Sequence, residues 1–145
     1  AQALHRESVT GTAFDLSRHS LDFASRLLMA YEAPVDLVLG DAFQLGEYPR
    51  ADLVISQEVL EHLEEPARYL EKLLTMVKPG GYGYITAAIN AGHSDHIYLF
   101  RSQDEVAEML KSTGWKTVYK AIAWADGAIP TRPDPCVAAF ICRPK

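Results

Sequence analysis

At 145 residues, of which 48% are hydrophobic, the chain has the size of one globular domain and can bury a core without disulfide or metal cross-links. Its formal net charge of -5 argues against free nucleic acid or an anionic membrane surface as a partner, because phosphate-binding surfaces are usually basic. Two cysteines make no disulfide framework, and no apolar run approaches the roughly 20 residues of a membrane span, so we expect one cytoplasmic domain, 1–145.

The first half of the chain alternates strand-like and helix-like segments. An apolar run over 9–14 predicts a strand that Asp15 ends, and runs at 35–39, closed by Gly40 and Asp41, and at 53–55 predict two more strands. Between the first two runs, helical spacing predicts a helix with one buried face, which Pro34 ends. The residues of that face are Leu16, Phe23, Ala24, Leu27, Leu28 and Tyr31.

Proline and glycine residues mark the limits of the predicted elements in the middle of the chain. Pro66 suits the first turn of a second helix, and Lys78–Gly81 predicts a stop and a turn after that helix. A strand is predicted over 82–89. The apolar stripe of the second helix consists of Ala67, Leu70, Leu73, Leu74 and Val77.

A capping pattern marks the last helix, with Ser102 at the N-cap, Glu105 three residues later and Gly114 at the C-terminal end. Strands are predicted over 116–123 and 137–142, joined by a proline-rich loop. Because parallel neighbours need a longer and usually helical crossover, the final strand is predicted to be antiparallel. The whole alternation predicts an α/β fold with a largely parallel sheet covered by helices.

Four segments, in this order, resemble the class I S-adenosylmethionine-dependent methyltransferases: Gly11–Ser17, Leu39–Ala42, Ala51–Leu63 and Leu73–Gly81. The resemblance implies a Rossmann-like mixed sheet with helices on both faces and a C-terminal antiparallel hairpin, incomplete at its N-terminus. It also implies S-adenosylmethionine as the cofactor, and methyl transfer to the O, N or C of a small-molecule acceptor.

The resemblance places the cofactor at the carboxyl ends of strands, where open α/β sheets bind ligands. Asp15 corresponds to the acid that accepts hydrogen bonds from the ribose hydroxyls, and Asp41 to the acid that accepts from the adenine amine. The implied cofactor-binding residues are Asp15, Leu16, Asp41, Ala42, Phe43, Gln57 and His62. The alternative for each aspartate is an ordinary helix-capping or turn residue.

The glycine-rich turn that follows the family's first strand has no counterpart before Asp15. The residues at 1–8 resemble instead the tail of the helix that comes after this turn. We therefore expect the sequence to be part of a longer chain, and expect the isolated 145 residues not to bind S-adenosylmethionine. The alternatives are a relative that has lost cofactor binding and a first strand supplied by another chain.

Titratable residues are densest at 90–96. His96, paired with Asp95 or His93, is the predicted base that removes a proton from the acceptor, and His93 is the second catalytic candidate. The alternative is a polar loop whose histidines are structural. A metal site would need two ligands besides His93 and His96, and the spacing shows none, so no metal is predicted.

The sequence thus predicts a methyltransferase that acts on a small molecule, with no nucleic-acid or membrane partner. The main alternative is a non-catalytic methyltransferase-like scaffold, or partner-binding domain, that has lost cofactor binding. A nucleotide-dependent oxidoreductase shares the acid after the second family strand, but the C-terminal hairpin and the turn at 78–81 argue against it.

Overall fold

The residues that the computed structural model describes are 9–44, 48–124 and 135–145. The chain divides into two compact units, Ala1–Glu47 and Tyr48–Lys145, and each is described by itself. The expected helix tail at 1–8 and most of the predicted proline-rich loop lie outside the described residues. A single domain over 1–145 remains a prediction.

The first unit is a strand–helix–strand arrangement. Its elements are β1 (Gly11–Asp15), α1 (Arg18–Ala30) and β2 (Val35–Leu39). The two strands pair in parallel, with Asp15 opposite Leu39. Ser17 caps α1, since its side chain accepts a hydrogen bond from the Ser20 amide at 3.2 Å.

The helix in this unit is confirmed, but its predicted buried face is not. Leu16 and Phe23 are 73% and 62% exposed, Leu27 and Tyr31 are exposed as well, and Leu21 is the buried residue of α1. Within this unit, β1 and β2 are the only described strands against which α1 can pack, and most of the predicted face remains uncovered. Helical spacing therefore identified the helix correctly and its burial wrongly.

The second unit contains a four-stranded mixed sheet. Its strands are β3 (Ala51–Ser56), β4 (Val77–Ile89), β5 (Trp115–Trp124) and β6 (Cys136–Pro144). The strand order is β3-β4-β6-β5, in which β3 and β4 are parallel and β6 is antiparallel to both of its neighbours. The predicted α/β fold with a mixed, Rossmann-like sheet and an antiparallel C-terminal pair is confirmed.

The helical elements of this unit are a short 3-10 helix (Leu60–His62), α2 (Pro66–Thr75) and α3 (Gln103–Ser112). Ser102 caps α3 as predicted, and Gly114 follows its end with a φ of +95°. No helix in the described part of the chain has the length and apolar character needed to cross a bilayer.

The predicted turn at 78–81 is wrong, because β4 continues through it. The register with β3 passes from Ala51 opposite Val77 to Leu53 opposite Tyr82, so that Lys78–Gly81 forms a bulge within the strand. Gly80 has a φ of +82°, in the left-handed region that glycine tolerates best. The sequence signal for a backbone irregularity was correct, but its interpretation as the start of the strand was not.

Trp115 is central to the core of the second unit. Its side chain is fully buried, and its indole N–H donates to the Leu70 carbonyl of α2 at 3.0 Å. On the sheet, the ring lies against Gly83, where an added Cβ would come within 2.6 Å of it. The indole therefore fills the space between β4 and α2, and only glycine at position 83 leaves room for it.

The opposite face of this sheet carries exposed apolar side chains. The strand registers place them on one side, and their exposed fractions lie between 37% and 60%. They are Leu53, Ile55, Tyr82, Tyr119 and Ile141. Within the described residues, β3 is also an edge strand of the sheet.

Candidate functional site

The two predicted cofactor aspartates meet at one edge of the first unit. Asp15 is the last residue of β1, and Asp41 stands two residues after the end of β2. The Gly40 amide, between the end of β2 and Asp41, donates to the Asp15 carbonyl at 3.1 Å. The carboxyl ends of parallel strands therefore bring both side chains to the same edge, as the sequence predicts.

Each of these carboxylates makes a turn through one of its two oxygens. Asp15 Oδ1 accepts from the Ser17 amide at 2.7 Å, and Asp41 Oδ1 accepts from the Phe43 amide at 2.8 Å. No hydrogen bond from the described residues reaches the Oδ2 atom of either. Both are turn aspartates, and each can still accept from a hydroxyl or an amine.

In the second unit, a polar cluster lies beyond the carboxyl ends of β3 and β4. The 3-10 helix follows β3, and the segment 90–100 follows β4. The Ile97 and Tyr98 amides both donate to the Glu61 carbonyl, at 2.8 and 2.9 Å. These bonds hold the segment after β4 against the 3-10 helix, so that residues far apart in sequence become neighbours.

Two histidines of this cluster have their tautomers fixed by backbone carbonyls. His62 Nδ1 lies 3.0 Å from the Asp95 carbonyl, and His96 Nδ1 lies 2.6 Å from the Ala91 carbonyl. A carbonyl can only accept, so when the ring is neutral its proton is on Nδ1 and a lone pair is on Nε2. The two rings stand edge to face, with their centroids 4.8 Å apart.

The Asp95 carboxylate pairs with His93. His93 Nδ1 donates to Asp95 Oδ1, and this bond is the main reason that the pKa of Asp95 lies below its usual value. The sequence analysis left open whether His96 pairs with Asp95 or with His93. In the structure, His96 Nδ1 binds the Ala91 carbonyl, and the rings of His93 and His96 have centroids 5.6 Å apart.

Two glutamates complete the cluster. Glu58 has a φ of +49°; its amide donates to Thr86 Oγ1 at 3.0 Å, and the Thr86 hydroxyl donates to Glu58 Oε1 at 2.6 Å. Burial raises the pKa of Glu58, and the negative charge of Glu61 raises it further. Residues in sparsely populated backbone regions concentrate at functional sites, where surrounding contacts hold them.

Glu61 is the residue that the sequence analysis missed. It is 1% exposed; its Oε1 accepts from the Ala88 amide at 3.3 Å, and its Oε2 has no hydrogen-bond partner among the described residues. The available signal was an acid between Leu60 and Leu63, two apolar positions of the same turn. A buried carboxylate without a full set of partners is energetically costly, which makes Glu61 a candidate site residue.

Comparison with known proteins decides the family. A family model described as a methyltransferase domain matches residues 1–85. The chain belongs to this methyltransferase family. The family belongs to the class I methyltransferases, whose cofactor is S-adenosylmethionine, as the resemblance of the sequence implies.

Among curated proteins, the chain is similar to ubiquinone biosynthesis O-methyltransferases. It is 29% identical to the one from Paraburkholderia phytofirmans over 98 residues, which cover 66% of this chain and 42% of that protein. It is 38% identical to the one from Rhizobium rhizogenes over 84 residues, which cover 57% of this chain and 33% of that protein. The chain therefore spans less than half the length of these relatives.

Solved structures confirm the fold. The [4+2]-cyclase SpnF superposes with a TM-score of 0.79 at 16% identity, over 98% of this chain and 68% of that one. The 1,6-didemethyltoxoflavin-N1-methyltransferase of Burkholderia thailandensis, solved with S-adenosylhomocysteine, has a TM-score of 0.74 at 18% identity, over 92% of this chain and 60% of that one. A cyclase and a methyltransferase share this fold, so the chemistry must be argued from the site.

Proposed function

We propose that the whole protein transfers a methyl group from S-adenosylmethionine to an oxygen of a small hydroxylated molecule. The observation that carries the proposal is the His93–Asp95 pair beside the carboxyl ends of β3 and β4. A hydroxyl acceptor must lose a proton during methyl transfer, whereas an amine needs a base much less. The similarity to proteins named O-methyltransferases supports the same acceptor atom.

In this proposal, the edge of the first unit holds the nucleoside part of the cofactor. The Oδ2 atom of Asp15 accepts from the ribose hydroxyls, and that of Asp41 accepts from the adenine amine. Leu16, Ala42 and Phe43 stand next to these acids and offer apolar contact. When bound, the cofactor supplies a methyl group activated by its sulfonium. In the second unit, Gln57 and His62 remain proposed cofactor contacts on the resemblance alone.

Removal of the Asp15 carboxylate tests the cofactor half of the proposal. Asp15→Ala in the whole protein is expected to weaken S-adenosylhomocysteine binding about 10- to 100-fold, because a hydrogen bond to a charged group contributes roughly 1.5–3 kcal/mol. Isothermal titration calorimetry measures this directly. Asp22→Ala, which removes an exposed acid of α1, is the matched control and should bind normally. Equal affinities for the two variants would remove Asp15 from the ribose role.

In the acceptor half, His93 takes the proton of the substrate hydroxyl. Its Nδ1 is held by Asp95, which leaves Nε2 as the proton acceptor and stabilises the imidazolium that forms. The protein otherwise has to hold the acceptor oxygen in line with the methyl group, which accounts for most of the catalysis in such a displacement.

The acceptor atom is tested with matched pairs of compounds. The whole protein is incubated with S-adenosylmethionine labelled in its methyl group, and with aromatic compounds that differ only in bearing a hydroxyl or an amine. We expect label in the hydroxyl series and S-adenosylhomocysteine released in equal amount. Label confined to the amine series would overturn the choice of oxygen, and no transfer with a cofactor that binds normally would favour the non-catalytic scaffold.

A further inference from the structure

The segment that follows β4, residues 90–100, is a loop whose two ends lie side by side. The Asn90 amide donates to the Phe100 carbonyl at 2.9 Å, next to a parallel bridge between Phe100 and the end of β4. Phe100 is fully buried, and Asn90 has a φ of +53°, in the left-handed region, where the chain leaves the strand. The loop that carries His93 and Asp95 is therefore closed by a short neck.

The Glu105 carboxylate, on the first turn of α3, holds the returning end of this loop. Its Oε2 accepts from the Arg101 amide at 2.8 Å, and its Oε1 accepts from the Tyr98 hydroxyl at 3.5 Å. These donors stand on either side of Phe100 in the sequence, and the Tyr98 ring packs on the Phe100 ring with centroids 4.6 Å apart. Because hydrogen bonds to a charged acceptor are stronger than neutral ones, one carboxylate fixes two points of the returning chain.

Capping of α3 alone does not account for this carboxylate. The N-cap is Ser102, whose hydroxyl oxygen accepts from the Glu105 amide at 3.2 Å, and Asp104 gives the same turn a second acid. In a capping box the glutamate side chain returns to the amide of the N-cap residue. Here it reaches beyond that residue, to the Arg101 amide and the Tyr98 hydroxyl, and so joins the helix to the loop.

We propose that Glu105 is a positioning residue for methyl transfer, which sets the place of His93 relative to the acceptor hydroxyl by holding the end of its loop. The inference rests on the proposed function, in which His93 takes the proton of that hydroxyl. Two loop amides stay bound to the Glu61 carbonyl when Glu105 is lost, so we expect the loop to loosen and not to unfold. Displacement of a reacting group by about 1 Å can lower the rate about 100-fold.

Kinetics of the whole protein test the effect on the reaction. Glu105→Ala is expected to lower kcat with a hydroxylated acceptor about 10- to 100-fold and to leave the affinity for S-adenosylhomocysteine unchanged. Glu105→Gln should lose less, because its amide oxygen still accepts a hydrogen bond, and it serves if the alanine variant fails to fold. The matched control is Asp104→Ala, which removes the other first-turn acid, paired with Lys120 of β5 at 3.4 Å, and should keep its kcat. An effect on helix stability alone would appear in both alanine variants.

Hydrogen exchange, followed by mass spectrometry without cofactor or acceptor, tests the effect on the loop. We expect peptides that cover 90–101 to exchange faster in Glu105→Ala, and as in the unaltered protein in Asp104→Ala. The proposal is overturned if the two variants exchange alike over this segment, or if they have the same kcat. Absence of methyl transfer in the unaltered protein would instead contradict the proposed function, and exchange would still decide whether Glu105 holds the loop.

Discussion

Replacement of Trp115 by alanine is expected to lower the free energy of unfolding by about 4 kcal/mol, because large-to-small changes at buried aromatic positions cost roughly 3–5 kcal/mol. The indole is fully buried and fills the space over Gly83, so its loss leaves a cavity between β4 and α2. It would also remove the second donor of the Leu70 carbonyl, which keeps its bond within α2. Urea unfolding of the whole protein, followed by circular dichroism, measures the effect.

Two further variants separate the causes of this loss. Trp115→Phe keeps most of the ring volume and removes the N–H, so we expect a smaller loss of about 0.5–1.5 kcal/mol, the usual net contribution of one hydrogen bond. Lys116→Ala changes the adjacent exposed residue of β5 and should stay within about 0.5 kcal/mol of the unaltered protein. A Trp115→Ala protein as stable as the Lys116→Ala protein would show that the indole does not support the core.

Replacement of His93 by alanine is expected to lower the kcat of methyl transfer about 100- to 1,000-fold, within the usual range for loss of a general base. Affinity for S-adenosylhomocysteine should be unchanged, since His93 is proposed to contact the acceptor and not the cofactor. Steady-state kinetics with a hydroxylated acceptor, together with calorimetry, give both quantities.

The matched control for His93 is His19→Ala, which removes an exposed imidazole from α1. Asp95→Asn should reproduce part of the loss, because an amide holds the imidazole without stabilising its charged form. An unaltered kcat in the His93 variant would indicate that the histidines of segment 90–96 are structural and not catalytic. A loss of cofactor affinity of the same size as the loss of kcat would also contradict the assignment.

Local pattern was enough to predict most of the fold. Each strand of the structure overlaps a segment predicted to be a strand, and Ser102 and Gly114 flank α3 as their residue types require. The errors concern features that depend on residues distant in the sequence. The bulge at 78–81 depends on the register with β3, and the exposed face of α1 depends on how much sheet stands beneath it.

The site was predictable in composition but not in pairing. The titratable segment at 90–96 is evident in the sequence, and the structure places it next to the 3-10 helix. Which histidine meets the Asp95 carboxylate depends on the path of a loop, and the burial of Glu61 depends on hydrogen bonds from a segment more than 30 residues later in the chain. Spacing alone carries neither fact.

The apolar face of the second unit has a practical consequence for work with the purified polypeptide. Leu53 and Ile55 belong to a strand whose outer edge is unpaired within the described residues, and they project from the face that also exposes Tyr119 and Ile141. An unpaired strand edge beside an exposed apolar surface promotes aggregation, because a strand of another chain can pair with that edge. In a polypeptide of these 145 residues alone, this edge and this face are therefore expected to favour association between chains.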